Sequence, residues 1–289
     1  MNGNKVSIEK IFLVLFCIFG LFSHDPLYGG KGPEKNGTFH LIIVADTRDR
    51  EIGESDKKDV LNLVKEVKKI AYYSGINYAP YILYHDKASY AHLSRIITQL
   101  KVSANDTIFF LYSGHGYRTK DKGSNSWPNL YLSDQGVDFS IIVERLLKKT
   151  PRLLIAISDS CNSIVDEDED GYGLFIPAKE KAEEEFLRAL IGHKSKPSNY
   201  KQLFYYSKGL IMASASVPGD IAIGLPTSGG YYTTAFLKSL DEETSFERTS
   251  WNIIMQKAED KTNLLNQYPQ WIYLEDVSNI DATLKLIGR

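Results

Sequence analysis

Cysteine is nearly missing from this 289-residue chain, which has only Cys17 and Cys161. Two cysteines so placed cannot staple a disulfide scaffold or build a cysteine zinc site. An excess of either charge is missing too. The 34 basic and 36 acidic side chains leave a formal net charge of −2, without the basic stripe of a nucleic-acid binder. The apolar run Ile11–Phe22 has 12 residues, against the ~20 of a spanning helix, so no stable membrane span is expected. There is no Gly-x-Ser-x-Gly elbow, no phosphate loop and no His-Glu-x-x-His zinc motif. No metal site is expected. What remains, 43% hydrophobic and 24% charged, is an ordinary globular composition.

Lys5 and Lys10 precede the Ile11–Phe22 run. A short basic stretch before such a run reads as a secretory signal peptide. Residues 1–30 are therefore expected to be signal peptide and lead-in, and the protein secreted or periplasmic. A buried N-terminal helix and a retained anchor stay open as alternatives. Cleavage would remove Lys5, Lys10, Glu9 and Asp25, leaving the charge at −2 and Cys161 as the one remaining thiol.

Further on, short apolar runs alternate with helical patterns. The runs are Leu41–Ala45, Tyr81–Tyr84, Thr107–Tyr112, Leu153–Ile157, Leu210–Ala213 and Trp271–Leu274. They are continuous rather than alternating, as in strands buried on both faces of a mostly parallel sheet. The pattern predicts helices at 56–73, 89–100, 139–149, 230–240 and 250–266. Val60, Leu61, Val64, Val67 and Ile70 show the helical spacing in the first. The alternation predicts an α/β sandwich. Residues 164–208 break the rhythm with the acidic run Asp166–Asp170, mixed charge, the Lys196-Pro197 pair and few apolar residues. They are expected to form a surface insertion. It separates a larger part, 38–163, from a smaller part, 209–289, of one sheet.

Polar residues cluster after the runs, where open α/β sheets bind their ligands. The third run ends in Ser113-Gly114-His115-Gly116 and the fourth in Asp159-Ser160-Cys161-Asn162-Ser163. Asp46-Thr47 and Ser214-Ala215-Ser216 follow two others. A thiol needs a nearby base or a cationic imidazole to react as thiolate. His115 can fill that role beside Cys161 and then protonate a leaving amine. Backbone N–H groups of Gly116 and Cys161 could form an oxyanion hole. Taken singly, Cys161 also reads as a small buried hydrophobe, and His115 as a turn residue.

Tyr112-Ser113-Gly114-His115-Gly116, followed 46 residues after the histidine by Cys161 in Asp-Ser-Cys, resembles the caspase-like cysteine peptidases, closest to metacaspases and their bacterial relatives. Lys58-Asp59-Val60, the Gly229–Leu240 stretch, Trp251–Gln267 and Tyr268-Pro269-Gln270 extend the resemblance over about 38–275. It implies a caspase-like three-layer α/β/α sandwich around a mostly parallel six-stranded sheet. It implies a cysteine endopeptidase acting on peptide or protein substrates. Two positions depart from the metacaspase pattern: Asn162 stands for the usual histidine and Ile164 for a glycine.

Metacaspases line the first substrate pocket with carboxylates and cut after Arg or Lys. By that resemblance Asp159, Asp59 and Ser113 fall at pocket positions, and a basic P1 residue is expected. A carboxylate pair favours a guanidinium through charge-assisted, bidentate bonds. Asp59 also reads as a first-turn acid favoured by the helix dipole and Asp159 as a strand-end hydrogen bonder, while Asp46 is a further, weaker pocket candidate that reads more readily as a loop cap. No cofactor is required by the residues; many metacaspases need calcium, so the resemblance leaves a calcium effect open. Asp166-x-Asp168-x-Asp170-Gly171 begins like an EF-hand loop but lacks the acid at its twelfth position. The insertion falls where caspase-like enzymes place their inter-subunit linker, and Lys179, Lys181, Arg188, Lys194 and Lys196 offer self-processing sites there. Two rivals stay open: a catalytically inactive, peptide- or partner-binding caspase-like module, and an enzyme resembling legumain or gingipain.

Overall fold

The computed structural model describes residues 37–165 and 195–288. Its centre is one six-stranded sheet. The strands are β1 (Thr38–Ala45), β2 (Asn77–Tyr84), β3 (Thr107–Ser113), β7 (Leu153–Asp159), β8 (Gly209–Ser214) and β11 (Gln270–Leu274). They lie in the order β11-β8-β7-β3-β1-β2. The first five in chain order are parallel, and β11 pairs antiparallel with β8. Each expected apolar run falls on one of these strands. Every residue of β3, β7 and β8 is buried, which is why their sequences do not alternate. β2 is an edge strand, and it carries Pro80, which has no N–H to donate to a neighbour.

Helices cover both faces. On one side α2 (Tyr90–Gln99) and α3 (Phe139–Leu147) bury Leu93, Ile97, Ile142 and Val143 against Ile42, Val44, Phe110 and Ala156 of the sheet. Ser89 and Asp138 cap these helices by accepting from the His92 and Ser140 amides, which otherwise lack partners. On the other side lie α1 (Gly53–Ser74), α5 (Tyr231–Glu243) and α6 (Trp251–Asn263). Val60, Leu63, Val64, Val67 and Ile70 form the buried stripe of α1. Phe39, Phe109, Phe204, Phe236 and Trp251 make a chain of ring contacts on this face. Thr38 to Asp159 and Gly209 to Leu274 thus supply strands to one sheet, with α/β/α layering.

Three features were not expected. A small antiparallel sheet of β4 (Gly116–Tyr117), β5 (Asn129–Tyr131) and β6 (Gly136–Asp138) follows β3 directly. A two-stranded ribbon, β9 (Gly224–Leu225) with β10 (Gly229–Gly230), leads into α5. A last helix, α7 (Ile280–Leu286), closes the described chain.

One expectation is corrected. The end of the 164–208 segment is core, not surface. α4 (Pro197–Lys201) runs into a π turn over Gln202–Tyr206, and Tyr200, Leu203 and Phe204 are fully buried. Five helical residues and a π turn are too short to show a 3.6-residue period. Arg152 donates to the Phe204 carbonyl at 2.6 Å and also bonds the Ser207 carbonyl, holding the turn against β3. The acidic run at 166–170, Lys179, Lys181, Arg188 and Lys194, and the N-terminal segment with Cys17 lie outside the described residues. No helix among the described residues is long and apolar enough to cross a membrane.

Candidate active site

Register builds the site. Ala45 of β1 pairs with Ser113 of β3, and Ser113 pairs with Asp159 of β7. Neighbouring strands lie about 4.8 Å apart. Two residues beyond these level ends stand His115 and Cys161, in the loops that leave adjacent strands at the carboxyl edge of the sheet. The Gly114 amide donates to the Asp159 carbonyl at 3.3 Å, tying the two exits together. His115 and Cys161 line one cleft with Asp56, Asp59, Ser113 and Asp159.

His115 is buried, at 5% exposure. Its backbone is pinned from below: the hydroxyl oxygen of Tyr112 lies 2.7 Å from both the His115 and the Tyr131 carbonyl oxygens. Its ring Nε2 lies 3.3 Å from Oδ2 of Asp49, in the loop after β1. The Tyr131 amide donates to the His115 carbonyl at 3.0 Å, so 115 and 131 are the hydrogen-bonded pair of this ladder. The next pair, Gly116 with Leu130, is then of the non-bonded kind. The Gly116 N–H therefore faces away from β5. Gly116 packs on the Cys161 carbonyl so closely that a Cβ would overlap it.

Cys161 is 6% exposed. Its Sγ accepts from the Ala222 amide at 3.2 Å and lies 3.7 Å from the Ala222 carbonyl. Burial pushes the thiol up; the Ala222 N–H pulls the other way, and the carboxylates of Asp159 and Asp220 add to the rise. The segment carrying Ala222 is latched to the residue after Cys161. The Asn162 amide donates to the Asp220 carbonyl at 2.9 Å, and the Gly219 amide to the Asn162 carbonyl at 2.8 Å. The Asn162 side chain, fully buried, donates to the Ser126 carbonyl at 2.8 Å. Asn162 is thus a strut between two loops. Ile164 is 56% exposed and bridges to Arg118, away from the thiol.

Three carboxylates share the inner wall. Asp56 and Asp59 are three apart on α1 and so on one face. Ser113 Oγ lies 2.9 Å from Asp56 Oδ1 and 2.7 Å from Asp59 Oδ2. The Gly230 amide donates to Asp59 Oδ1 at 2.9 Å, and the Thr233 amide, in the first turn of α5, to Asp159 Oδ2 at 2.8 Å. A Cβ at Gly229 would strike Asp59, and one at Gly230 would strike Asp159. Asp56 Oδ2 is buried without a hydrogen-bond partner among the described residues. Burial, then the charge of Asp59, holds the Asp56 carboxyl well above the usual range. Burial, then Asp159, does the same to Asp59. Burial pushes Asp159 up to about 6 against the pull of its Thr233 bonds. Among the described residues lining the cleft, His115 is the one side chain able to carry positive charge. No cluster of three or more His, Cys, Asp or Glu among the described residues has metal-holding geometry.

Of the residues chosen from sequence, His115, Cys161, Asp59, Ser113 and Asp159 line the cleft, and Gly116 packs on the Cys161 carbonyl beside it. Asp46 does not line the cleft; burial and the charge of Asp49 raise its carboxyl. Asp49, Asp56 and Ala222 were missed. Asp56 had a signal, its spacing from Asp59. Asp49 and Ala222 had none, because their contacts span long loops.

A doubly covered, mostly parallel sheet with histidine and cysteine at adjacent strand ends defines the caspase-like α/β class. The chain belongs to that family: the caspase-domain peptidase model matches residues 41–273. It is thereby a member of a cysteine peptidase family. The crystal structure of a protein from Geobacter sulfurreducens is similar in fold, with a TM-score of 0.50 and 14% identity over 83% of this chain and 94% of that one. No curated protein matches the chain.

Proposed function

We propose that the protein is a secreted cysteine endopeptidase that cuts after arginine or lysine, with Cys161 as nucleophile and His115 as acid and base. One observation carries the reading: a histidine and a thiol line the same cleft as three buried carboxylates, with no Lys or Arg among the described residues that line it. His115 takes the thiol proton. The thiolate attacks the scissile carbonyl carbon, forming the C–S bond and an oxyanion. The amides of Gly116 and Cys161 are the donors for that oxyanion, each contributing ~10²–10³ in rate in comparable sites. Collapse breaks the C–N bond, and the amine leaves with the proton held by His115. Water, deprotonated by His115, then hydrolyses the thioester and frees the thiol.

The pocket of Asp56, Asp59 and Asp159, bridged by Ser113, takes the P1 side chain. A guanidinium supplies up to five donors to carboxylates, and its charge offsets the burial that raises all three carboxyls. Secretion is carried by Lys5, Lys10 and the Ile11–Phe22 run. Self-cleavage at the basic residues of 166–196 and a calcium effect belong to the same reading.

The rival, a non-catalytic peptide-binding module, is favoured by the burial of Cys161, which pushes its thiol up. Labelling with a thiol-directed peptide probe separates the two. The enzyme reading expects modification at Cys161 that is lost in His115→Ala. Equal labelling of both proteins, or none of either, favours the module.

A further inference from the structure

The loop between β1 and α1 carries a carboxylate for which the dyad alone gives no role. Asp49 Oδ1 accepts from the Glu51 amide at 2.7 Å and the Ile52 amide at 3.0 Å. The Asp49 carbonyl also accepts from the Gly53 amide at 3.2 Å, at the start of α1. One carboxylate oxygen is therefore fixed by the backbone, and the other, Oδ2, is delivered to His115 Nε2 at 3.3 Å. The side chain is 20% exposed. Burial works to raise its carboxyl, but the two amides and the His115 ring outweigh it and hold the group below its ordinary value. Asp49 is thus an ionised acceptor at neutral pH. An ionised carboxylate only accepts, so the ring nitrogen facing it carries a proton.

We propose that Asp49 is a positioning residue for His115: it fixes the imidazole with Nε2 protonated, which makes Nδ1 the nitrogen that takes and returns the Cys161 proton. This rests on the Cys161/His115 reading and extends the pair to a Cys-His-Asp constellation. The logic is that of a general base oriented by a third group.

The test uses the order of two substitutions. Asp49→Ala removes the acceptor. Asp49→Asn keeps an oxygen for the Glu51 and Ile52 amides but turns an NH2 toward Nε2, which favours the opposite tautomer. A role in the turn alone makes Asn the milder change; a role in setting the tautomer makes it the harsher one. The full chain and both variants are assayed on a peptide amide with arginine at P1. In parallel, the rate of iodoacetamide alkylation at Cys161 is read by peptide mass spectrometry, which needs no substrate pocket. The expected kcat losses are about 10-fold for Asp49→Ala and about 100-fold for Asp49→Asn, with KM little changed. Alkylation should slow in the same order. Asp49→Glu, still an acceptor, should recover part of the alanine loss. Wild-type kcat in Asp49→Asn, or a smaller loss than in Asp49→Ala, overturns the proposal while leaving the dyad standing. Unchanged hydrolysis and alkylation in His115→Ala overturn both together.

Discussion

Ser113 and Asp159 are register partners on adjacent parallel strands, and each lies two residues before the group that does chemistry in the proposed mechanism. The sheet itself therefore levels His115 with Cys161. The same pair also lines the acidic cleft, so in the proposed mechanism one rung of the ladder joins the reacting centre to specificity.

Gly116 leaves this geometry no room for a side chain. A Cβ there would overlap the Cys161 carbonyl and the Ser160 side chain. Gly116→Ala is expected to lower kcat about 100-fold, since displacements near 1 Å have such effects. The measurement is steady-state kinetics beside thermal unfolding. A folded variant with full activity would contradict the packing argument.

The acidic pocket makes separate claims for its members. Asp59 is held by Ser113 and the Gly230 amide, so Asp59→Ala should raise KM for an arginine substrate by roughly 100-fold, the order of a buried charge-assisted contact. Asp56 leaves one oxygen without a partner among the described residues, open to a ligand. Asp56→Asn should raise the same KM by about 10-fold and leave the unliganded fold no less stable. Loss of stability in Asp56→Asn would show that its charge serves the fold instead.

Protonation gives the pocket a pH signature. The Asp159 carboxyl stands at about 6 in the fold against an ordinary value of 3.8. The folded chain holds this proton more tightly than the unfolded one. Its stabilising share is therefore full below the ordinary value and is lost as pH rises through about 6. Tm should be higher at pH 5 than at pH 7, and Asp159→Asn should flatten the difference. Binding runs the opposite way: KM for an arginine substrate should rise as pH falls through the same window. A KM independent of pH between 5 and 7 would count against a carboxylate pocket.

Asn162 tests the reading of a family departure as architecture. Removing its side chain deletes the bond to the Ser126 carbonyl and leaves a buried void. Asn162→Ala should cost about 1–3 kcal/mol of stability, seen by denaturant titration, while hydrolysis persists. A stable but inactive variant would give Asn162 a direct role in the reaction.

The strands were legible because burial on both faces writes itself as continuous apolar runs such as Leu153–Ile157. The helices were legible from the α1 stripe of Val60, Val64 and Val67. His115 and Cys161 could be chosen because each follows such a run closely, and register then brings them level. The contact between His115 and Asp49 crosses 66 positions and depends on a turn closed by backbone amides, which no periodicity records. Tyr200, Leu203 and Phe204 were hidden for another reason: their segment turns from α into π within ten residues, too briefly for a pattern. Ala222 reaches Cys161 through its backbone, and the side chain carries no trace of that.

The most direct test is a panel of fluorogenic peptides differing only at P1, hydrolysed by the wild-type chain and by Cys161→Ala. The account expects cleavage after arginine and lysine, little after aspartate, and no cleavage by the variant. Preference for aspartate over arginine, or activity that survives loss of Cys161, would contradict it.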